Sequence, residues 1–335
     1  MTATTVFVSG ANGFIAQHIV KQLLAKGYTV IGSVRSEAKG KELAKLVQND
    51  QFSYEIVASL TEEGAFDEVL KKHPEVTVFL HTASPFSFSV EDVERDLLNP
   101  AKDGTINALK AIKQYGPQIK KVVITASAVA IFGFGPHFEP SKVYTEKDWN
   151  PVTYEESLSN SVFGYFGSKK FAELAANEFV DKEHVNFDIS FINPPYVFGP
   201  QAYAIEDKSN LNLSNEVINR VVKLNKDEPI PAEANLFVDV RDVAHAHLVA
   251  FENDKANGER LMIISHEKYT LDLIANIIHE KFPQTTIPKG DNSRTEELLQ
   301  GVHKFDDSRT RKILGFEYKS LEETVYDTVA QIYNA

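Results

Sequence analysis

The sequence predicts an α/β protein: a doubly wound parallel sheet with a smaller C-terminal lobe. Two observations carry this expectation. From the start of the chain to about residue 195, short Val-, Ile- and Phe-rich runs alternate with amphipathic stretches, the pattern of strands joined by right-handed helical crossovers. The first of these runs also opens directly into a glycine turn followed by apolar residues at helical spacing. A length of 335 residues accommodates one large domain and a second lobe, and a hydrophobic share of 43% is ordinary for a globular chain with a sizeable core.

Thr4 to Val8 reads as a short buried strand. Ser9, Gly10, Ala11, Asn12, Gly13, Phe14, Ile15 and Ala16 follow, in a Gly-x-x-Gly-x-x-Ala spacing. Ile15, Ile19, Val20, Leu23 and Leu24 then recur with helical period until Gly27, a natural helix stop. A dinucleotide pyrophosphate needs close backbone approach, which a side chain at Gly10 or Gly13 would obstruct, and the helix N-terminus favours its charge. Ala16 allows the helix to pack closely on the strand. Gly10, Asn12, Gly13, Phe14 and Ile15 are therefore candidate cofactor contacts; the alternative is a tight turn that binds nothing.

The next strand, Tyr28 to Val34, ends at Arg35, about 20 residues beyond the glycine turn, where such a fold reads the adenosine ribose. An acid there selects NAD. Arg35 instead offers a planar donor fork for a 2′-phosphate, with Ser36 as a hydroxyl donor and Lys39 as a second cation one helical turn on. The expected cofactor is NADPH/NADP+, against the alternative that Arg35 and Lys39 are solvated loop residues.

Further strands are expected over Phe52 to Val57, Val76 to His81, Lys121 to Ala126 and Asn186 to Ile192. Ligands of open α/β sheets sit outside the carboxyl ends of the strands, and Gly10, Arg35, Thr82, Ser127 and Asn193 all fall at or just after such ends. Tyr165 and Lys169 form a Tyr-x-x-x-Lys step. On a helix, positions four apart share one face, so phenol and ammonium converge beside a serine delivered by a strand end. Ser127, Tyr165 and Lys169 are accordingly the candidate catalytic residues. A unit charge about 5 Å from a phenol, at an effective dielectric of about 20, contributes roughly 3 kcal/mol toward ionisation, enough to bring a pKa near 10 down by about two units.

Beyond about residue 195 the composition shifts to Asn-, Asp- and Lys-rich connections around shorter elements. Leu236 to Val240 with Arg241 to Glu252 reads as a return to the main sheet. The expected division is a dinucleotide-binding domain over 1–195 plus about 236–255, and a substrate-binding lobe over about 196–235 and 256–335.

A net charge of −12 gives no broad attraction to nucleic acid or an anionic membrane. No leader-like start and no apolar run of transmembrane length is evident, which leads to an expectation of the cytosol. With no cysteine in the chain, disulfides, thiolate nucleophiles and zinc–thiolate sites are excluded. No metal is expected: the histidines are scattered, and His245 and His247 diverge on a helix. The acids Glu91, Asp92, Glu94 and Asp96 read as a solvated helix start. A Gly-x-Ser-x-Gly elbow is absent, and the Asn212-Leu213-Ser214 sequon is incidental.

With Gly10, Gly13, Ala16, Ser127, Tyr165 and Lys169 in place, the chain resembles the extended short-chain dehydrogenase/reductase superfamily over essentially its whole length. Val6 to Ala16, His81 to Pro85, Gly167 to Ala172 and Tyr196 to Pro200, with Val238 to Leu248 and Lys312 to Phe316, resemble the fungal NADPH-dependent methylglyoxal and carbonyl reductases. That group lies near the dihydroflavonol and cinnamoyl-CoA reductases. The resemblance implies a Rossmann fold and reduction of aldehydes and ketones. It makes Tyr165 the proton donor, Lys169 its electrostatic partner and nicotinamide-ribose ligand, and Ser127 a donor to the carbonyl oxygen. It further implies Ser59 and Leu60, the turn Thr82, Ala83 and Ser84, and Asn193, Pro194 and Val197 as cofactor contacts. Phe86, Phe132, Val162 and Tyr196 would line a substrate pocket, unless they serve core packing alone. Two positions depart from the family: Ser59 stands where relatives often carry an acid toward the adenine, and Ala126 replaces a common serine.

Two rivals remain open at this point: an NAD-dependent sugar-nucleotide epimerase or dehydratase using the same Tyr and Lys, and a dinucleotide-binding sensor without turnover. The expected partner is a small carbonyl compound, and the chain is a monomer or a homodimer.

Overall fold

A computed structural model describes residues 4–84, 90–204 and 211–334. Phe86, expected along a substrate pocket, lies outside the described residues. In chain order the elements are β1 (Thr5–Ser9), α1 (Phe14–Ala25), β2 (Thr29–Val34), α2 (Glu37–Val47), β3 (Phe52–Ile56), α3 (Asp67–Lys72) and β4 (Val76–His81). A π-helical turn (Glu94–Leu98) runs into α4 (Asn99–Tyr115), followed by β5 (Lys121–Thr125), β6 (Val143–Tyr144), α5 (Tyr154–Ser157), α6 (Ser161–Glu183) and β7 (Asp188–Ile192). Then come β8 (Tyr196–Phe198), α7 (Leu213–Val222), β9 (Ala234–Asp239), α8 (Val240–Glu252), β10 (Arg260–Leu261) and β11 (Lys268–Thr270). The chain closes with α9 (Leu271–Lys281), α10 (Asn292–Gln300), β12 (Lys304–Phe305), α11 (Ser308–Leu314) and α12 (Leu321–Asn334).

The chain divides into two compact units: 1–138 with 146–193 and 244–262, and 139–145 with 194–243 and 263–335. The first is built on a seven-stranded sheet in the order β10-β7-β5-β4-β1-β2-β3, every neighbouring pair parallel. The order reverses between β1 and β4, whose last residues, Ser9 and His81, lie opposite one another. A crevice outside those strand ends is the topological consequence. The central strands β1 and β4 are buried nearly throughout, whereas the edge strand β3 is not: Phe7 stacks on Phe79 at 4.7 Å and meets the edge of Phe66 at 6.2 Å, and none of the three is exposed. Such aromatic pairs add about 0.5–1.5 kcal/mol beyond their area burial. Gly32 on β2 lets the glycine turn close down on the sheet, since a Cβ there would stand 2.6 Å from that of Ala11.

All six strands read from the sequence are present, but a seventh was not foreseen. β10 completes the edge, held by pairing of Arg260 with Phe191 and Leu261 with Ile192. The expectation that Leu236 to Val240 returns to the main sheet is wrong. That run forms β9, which pairs parallel with β8 and antiparallel with β11 in a separate three-stranded sheet. Its apolar character reflects burial in the second unit, where Phe237 stacks on Phe198 at 5.9 Å among Ile218, Val221, Tyr269 and Leu271. The structural division also differs from the expected one at 139–145, 194–195, 236–243 and 256–262.

The acids near Glu91 start a helix, through a π-turn. Asp92 Oδ1 accepts from the Arg95 backbone N–H, and Asp96 pairs with the Arg95 guanidinium, which holds its carboxyl down near about 2. His247 is fully buried and shares a hydrogen bond with Thr125 Oγ1 at 2.7 Å, while burial pushes His245 below its ordinary value.

Candidate active site

The glycine turn is shaped by contacts that a larger residue could not keep. Gly10 has φ +64°, and a Cβ on it would lie 2.9 Å from the Cβ of Ala83. Its N–H donates to Ser33 Oγ at 3.2 Å, and Gly13 N–H donates to the Gly10 carbonyl at 2.9 Å. No side chain caps α1, so the N–H groups of its first turn remain for an anion.

Opposite this turn stands the segment after β4. Ser9 Oγ accepts from the backbone N–H groups of Thr82 and Ala83, each at 3.0 Å, and lies 3.0 Å from Nδ1 of the buried His81. With both lone pairs taken, the Ser9 hydroxyl hydrogen is left for Nδ1, so the His81 proton sits on Nε2. Burial, and then the Lys169 charge, push His81 down to about 4, which keeps the ring neutral. A serine and a histidine thus fix the turn that presents Ser84. Sequence reasoning passed over both.

Between the two turns lies a cleft of about 550 Å³, lined by Gly10, Asn12, Gly13, Thr82, Ala83 and Ser84 at one end and by Ser33, Arg35, Lys39, Ser59 and Leu60 elsewhere. Arg35 and Lys39 supply its cations, and Lys39 shares its charge with Glu42 at 2.9 Å. The backbone cradle, the helix N-terminus and the two cations together fit a dinucleotide phosphate ester. Ser36 does something the sequence did not reveal: its hydroxyl oxygen caps α2 by accepting from Lys39 N–H at 3.4 Å. Phe14 and Ile15 occupy the first turn of α1, half-buried.

α6 delivers the proton-transfer pair. Asn160 starts the helix by accepting from Val162 and Phe163 N–H, each at 3.0 Å. Lys169 Nζ lies 5.8 Å from the centre of the Tyr165 ring and donates to Ser84 Oγ at 2.9 Å. Burial lowers Lys169 to about 8. Behind it a cavity of about 20 Å³ has room for about one water among His81, Ser84, Thr105, Thr125 and Glu173. Ser127 follows β5, is buried, and accepts from Val129 N–H at 3.3 Å. Beside Tyr165, Phe166 stacks on Phe134 at 4.8 Å and meets Phe163 at 5.8 Å.

The other expected positions are less alike. Phe132 is 1% exposed, whereas Val162 on α6 is 48% exposed. Asn193, expected along a nicotinamide, is fully buried with its amide donating to Ser127 O and to Glu173. Pro194, Tyr196 and Val197 belong to the second unit, where Tyr196 meets Tyr269 at 5.8 Å.

A parallel, doubly wound sheet with a glycine turn at its switch point, a Tyr–Lys pair on the helix α6 and a serine just after β5 defines the extended short-chain dehydrogenase/reductase class. More particularly, the chain belongs to the NAD dependent epimerase/dehydratase family, whose model matches residues 6–264. It is 51% identical to the putative NADPH-dependent methylglyoxal reductase GRP2 of Candida albicans, over 99% of each chain. It is 42% identical to the NADPH-dependent methylglyoxal reductase GRE2 of Saccharomyces cerevisiae, over 98% of each. The crystal structure of Gre2 from Candida albicans in complex with NADPH matches it with a TM-score of 0.95 and 50% identity, covering 99% of each chain. Among the described residues no helix is long and apolar enough to cross a membrane.

Proposed function

We propose that this protein reduces aldehydes and ketones to alcohols with NADPH, and that Tyr165 donates the proton. The observation that carries this reading is the Lys169 ammonium, 5.8 Å from the Tyr165 ring and hydrogen-bonded to Ser84 at the rim of a cleft whose cations are Arg35 and Lys39. Bound in that cleft, NADPH supplies the hydride. Arg35 and Lys39 hold its 2′-phosphate, and the first turn of α1 with Gly10 and Gly13 holds the pyrophosphate. Tyr165 gives its proton to the carbonyl oxygen as negative charge develops there, and Lys169 stabilises the phenolate left behind. Ser127 donates a hydrogen bond to the same oxygen; its own oxygen is oriented by Val129 N–H. Lys169 would also hold the nicotinamide ribose.

The Tyr196 to Pro200 motif supports Val197 as a nicotinamide contact and Tyr196 as a substrate contact. The second unit is then the substrate lobe. Small α-dicarbonyls, ketoesters and aryl ketones are the substrate classes, the working compartment is the cytosol, and the active form is a monomer or homodimer.

Tyr165→Phe tests the reading. Turnover falls about 10²- to 10⁴-fold while NADPH still binds, as read by its fluorescence. A Tyr165→Phe protein consuming NADPH with a ketone at the wild-type rate would sink the assignment. Co-purified NAD with isomerisation of a sugar nucleotide, and no net NADPH consumption, would replace reduction by epimerisation.

A further inference from the structure

Tyr165, Lys169 and Glu173 recur every four residues along α6 and so share one helix face. An acid on a helix is normally solvated, but Glu173 is 2% exposed. Arg260 from β10 donates to one of its carboxylate oxygens through Nε and to the Glu146 carbonyl through Nη1 at 2.8 Å. The guanidinium carbon lies over Trp149, 3.8 Å from the ring centre. The other carboxylate oxygen accepts from Asn193 Nδ2 at 3.0 Å, and the same Nδ2 donates to the Ser127 carbonyl at 3.2 Å.

An amide nitrogen carries two hydrogens, and here each is committed, one to the acid and one to the backbone of the turn after β5. Asn193 Oδ1 is buried without a hydrogen-bond partner, as is Arg260 Nη2. The amide is therefore oriented by its nitrogen alone: turned over, it would set its oxygen against a carboxylate and a carbonyl oxygen. Glu173 thus does more than neutralise Arg260; its charge decides which way Asn193 points. Burial raises the Glu173 carboxyl above its ordinary range, and the Arg260 charge opposes that rise.

We propose that Glu173 is a positioning residue for carbonyl reduction: anchored by Arg260, it fixes the Asn193 amide, which holds the Ser127 backbone and so aims the Ser127 hydroxyl at the substrate oxygen. The inference rests on the reading of Ser127 given above. A misplacement of the order of 1 Å at a reacting group costs up to about 10²-fold in rate, which sets the scale.

The test compares kcat, KM and NADPH affinity in Ser127→Ala, Asn193→Ala and Glu173→Gln, and in each of the last two combined with Ser127→Ala. Asn193→Ala and Glu173→Gln are each expected to lower kcat about tenfold with NADPH affinity held within about twofold. In the Ser127→Ala background each then costs less than about twofold more, because the group they position is gone. Asn193→Ala leaves the Glu173–Arg260 pair intact. If Glu173→Gln alone does not fold, Asn193→Ala and the paired Glu173→Gln, Arg260→Met protein carry the comparison. Wild-type kcat in Asn193→Ala, or equal losses with and without the Ser127 hydroxyl, would overturn the inference while leaving the role of Ser127 standing. Wild-type kcat in Ser127→Ala would remove that role and the inference with it.

Discussion

Lys169→Met removes a charge that acts on catalysis and on stability with opposite signs. The nitrogen lies 5.8 Å from the centre of the Tyr165 ring. At an effective dielectric of about 20 that separation favours the phenolate by about 3 kcal/mol. If about half is felt when the proton is part-way across, the variant loses about 1.5 kcal/mol of transition-state stabilisation, roughly tenfold in rate. Stability runs the other way. Burial lowers Lys169 from 10.5 to about 8, so the folded, cofactor-free protein disfavours the charged form by up to about 3 kcal/mol. The side chain keeps some surface open, and methionine abandons the bond to Ser84, worth about 1 kcal/mol. The net gain on substitution is therefore about 1 kcal/mol. Between about pH 8 and 10.5 the unfolded chain holds a proton that the folded one has released. Wild-type stability accordingly rises with pH across that window, and the variant's advantage is largest below about pH 8. The assays are single-turnover NADPH oxidation at saturating cofactor and urea unfolding, each at pH 7 and pH 10. Wild-type turnover is expected to decline as pH rises through about 8, a limb the variant lacks. A variant less stable than wild type at pH 7, or one that turns over at the wild-type rate, would refute the reasoning.

Two further changes probe the cofactor cleft. Arg35→Ala removes a charge-assisted contact worth about 1.5–3 kcal/mol, so the NADPH KM should rise about 10- to 100-fold while NADH kinetics stay constant; an unchanged NADPH-to-NADH ratio would return Arg35 to the solvent. Gly10→Ala places a methyl 2.9 Å from the Ala83 Cβ in a backbone with φ +64°. It should weaken NADPH binding at least about tenfold and lower the thermal midpoint, since the left-handed conformation alone costs about 1–2 kcal/mol. Normal NADPH affinity in that protein would show that the two turns need not approach so closely.

The parts of the molecule legible in the sequence were those where chemistry and local pattern coincide. Gly10 and Gly13 are read from spacing because only a bare backbone serves there, and Tyr165 and Lys169 because helix geometry converges them. β10 was passed over although Leu261 opens a short apolar run through Ile264: only Arg260 and Leu261 pair with β7, and a run so short does not show by itself that it joins a sheet. β9 misled for the opposite reason, since a buried apolar run reads alike whichever sheet receives it. Glu173 was passed over because an acid on a helix reads as surface, and the buried positions of α6 (Gly164, Gly167, Ser168, Glu173 and Ala176) are small or polar, with no apolar stripe to mark the inner face. Its place four residues beyond Lys169 was nevertheless visible and would have flagged it. Ser9 and His81 were likewise hidden by ordinary strand-end positions; their importance lies in a lone-pair count that needs three dimensions.

The order in which the chain leaves the ribosome gives β10 a further consequence. Glu173 emerges well before Arg260, its cation, and the strand that carries that cation is the last to join the sheet. Until then α6 holds an acid that a closed core would leave uncompensated. Closing the core over it before Arg260 arrives would cost about 3–5 kcal/mol. The acid on α6, spelled out in the middle of the chain, meets its cation only once synthesis has passed residue 260, so a protein interrupted before that point has its tyrosine and Ser127 but not the brace proposed to aim the serine hydroxyl.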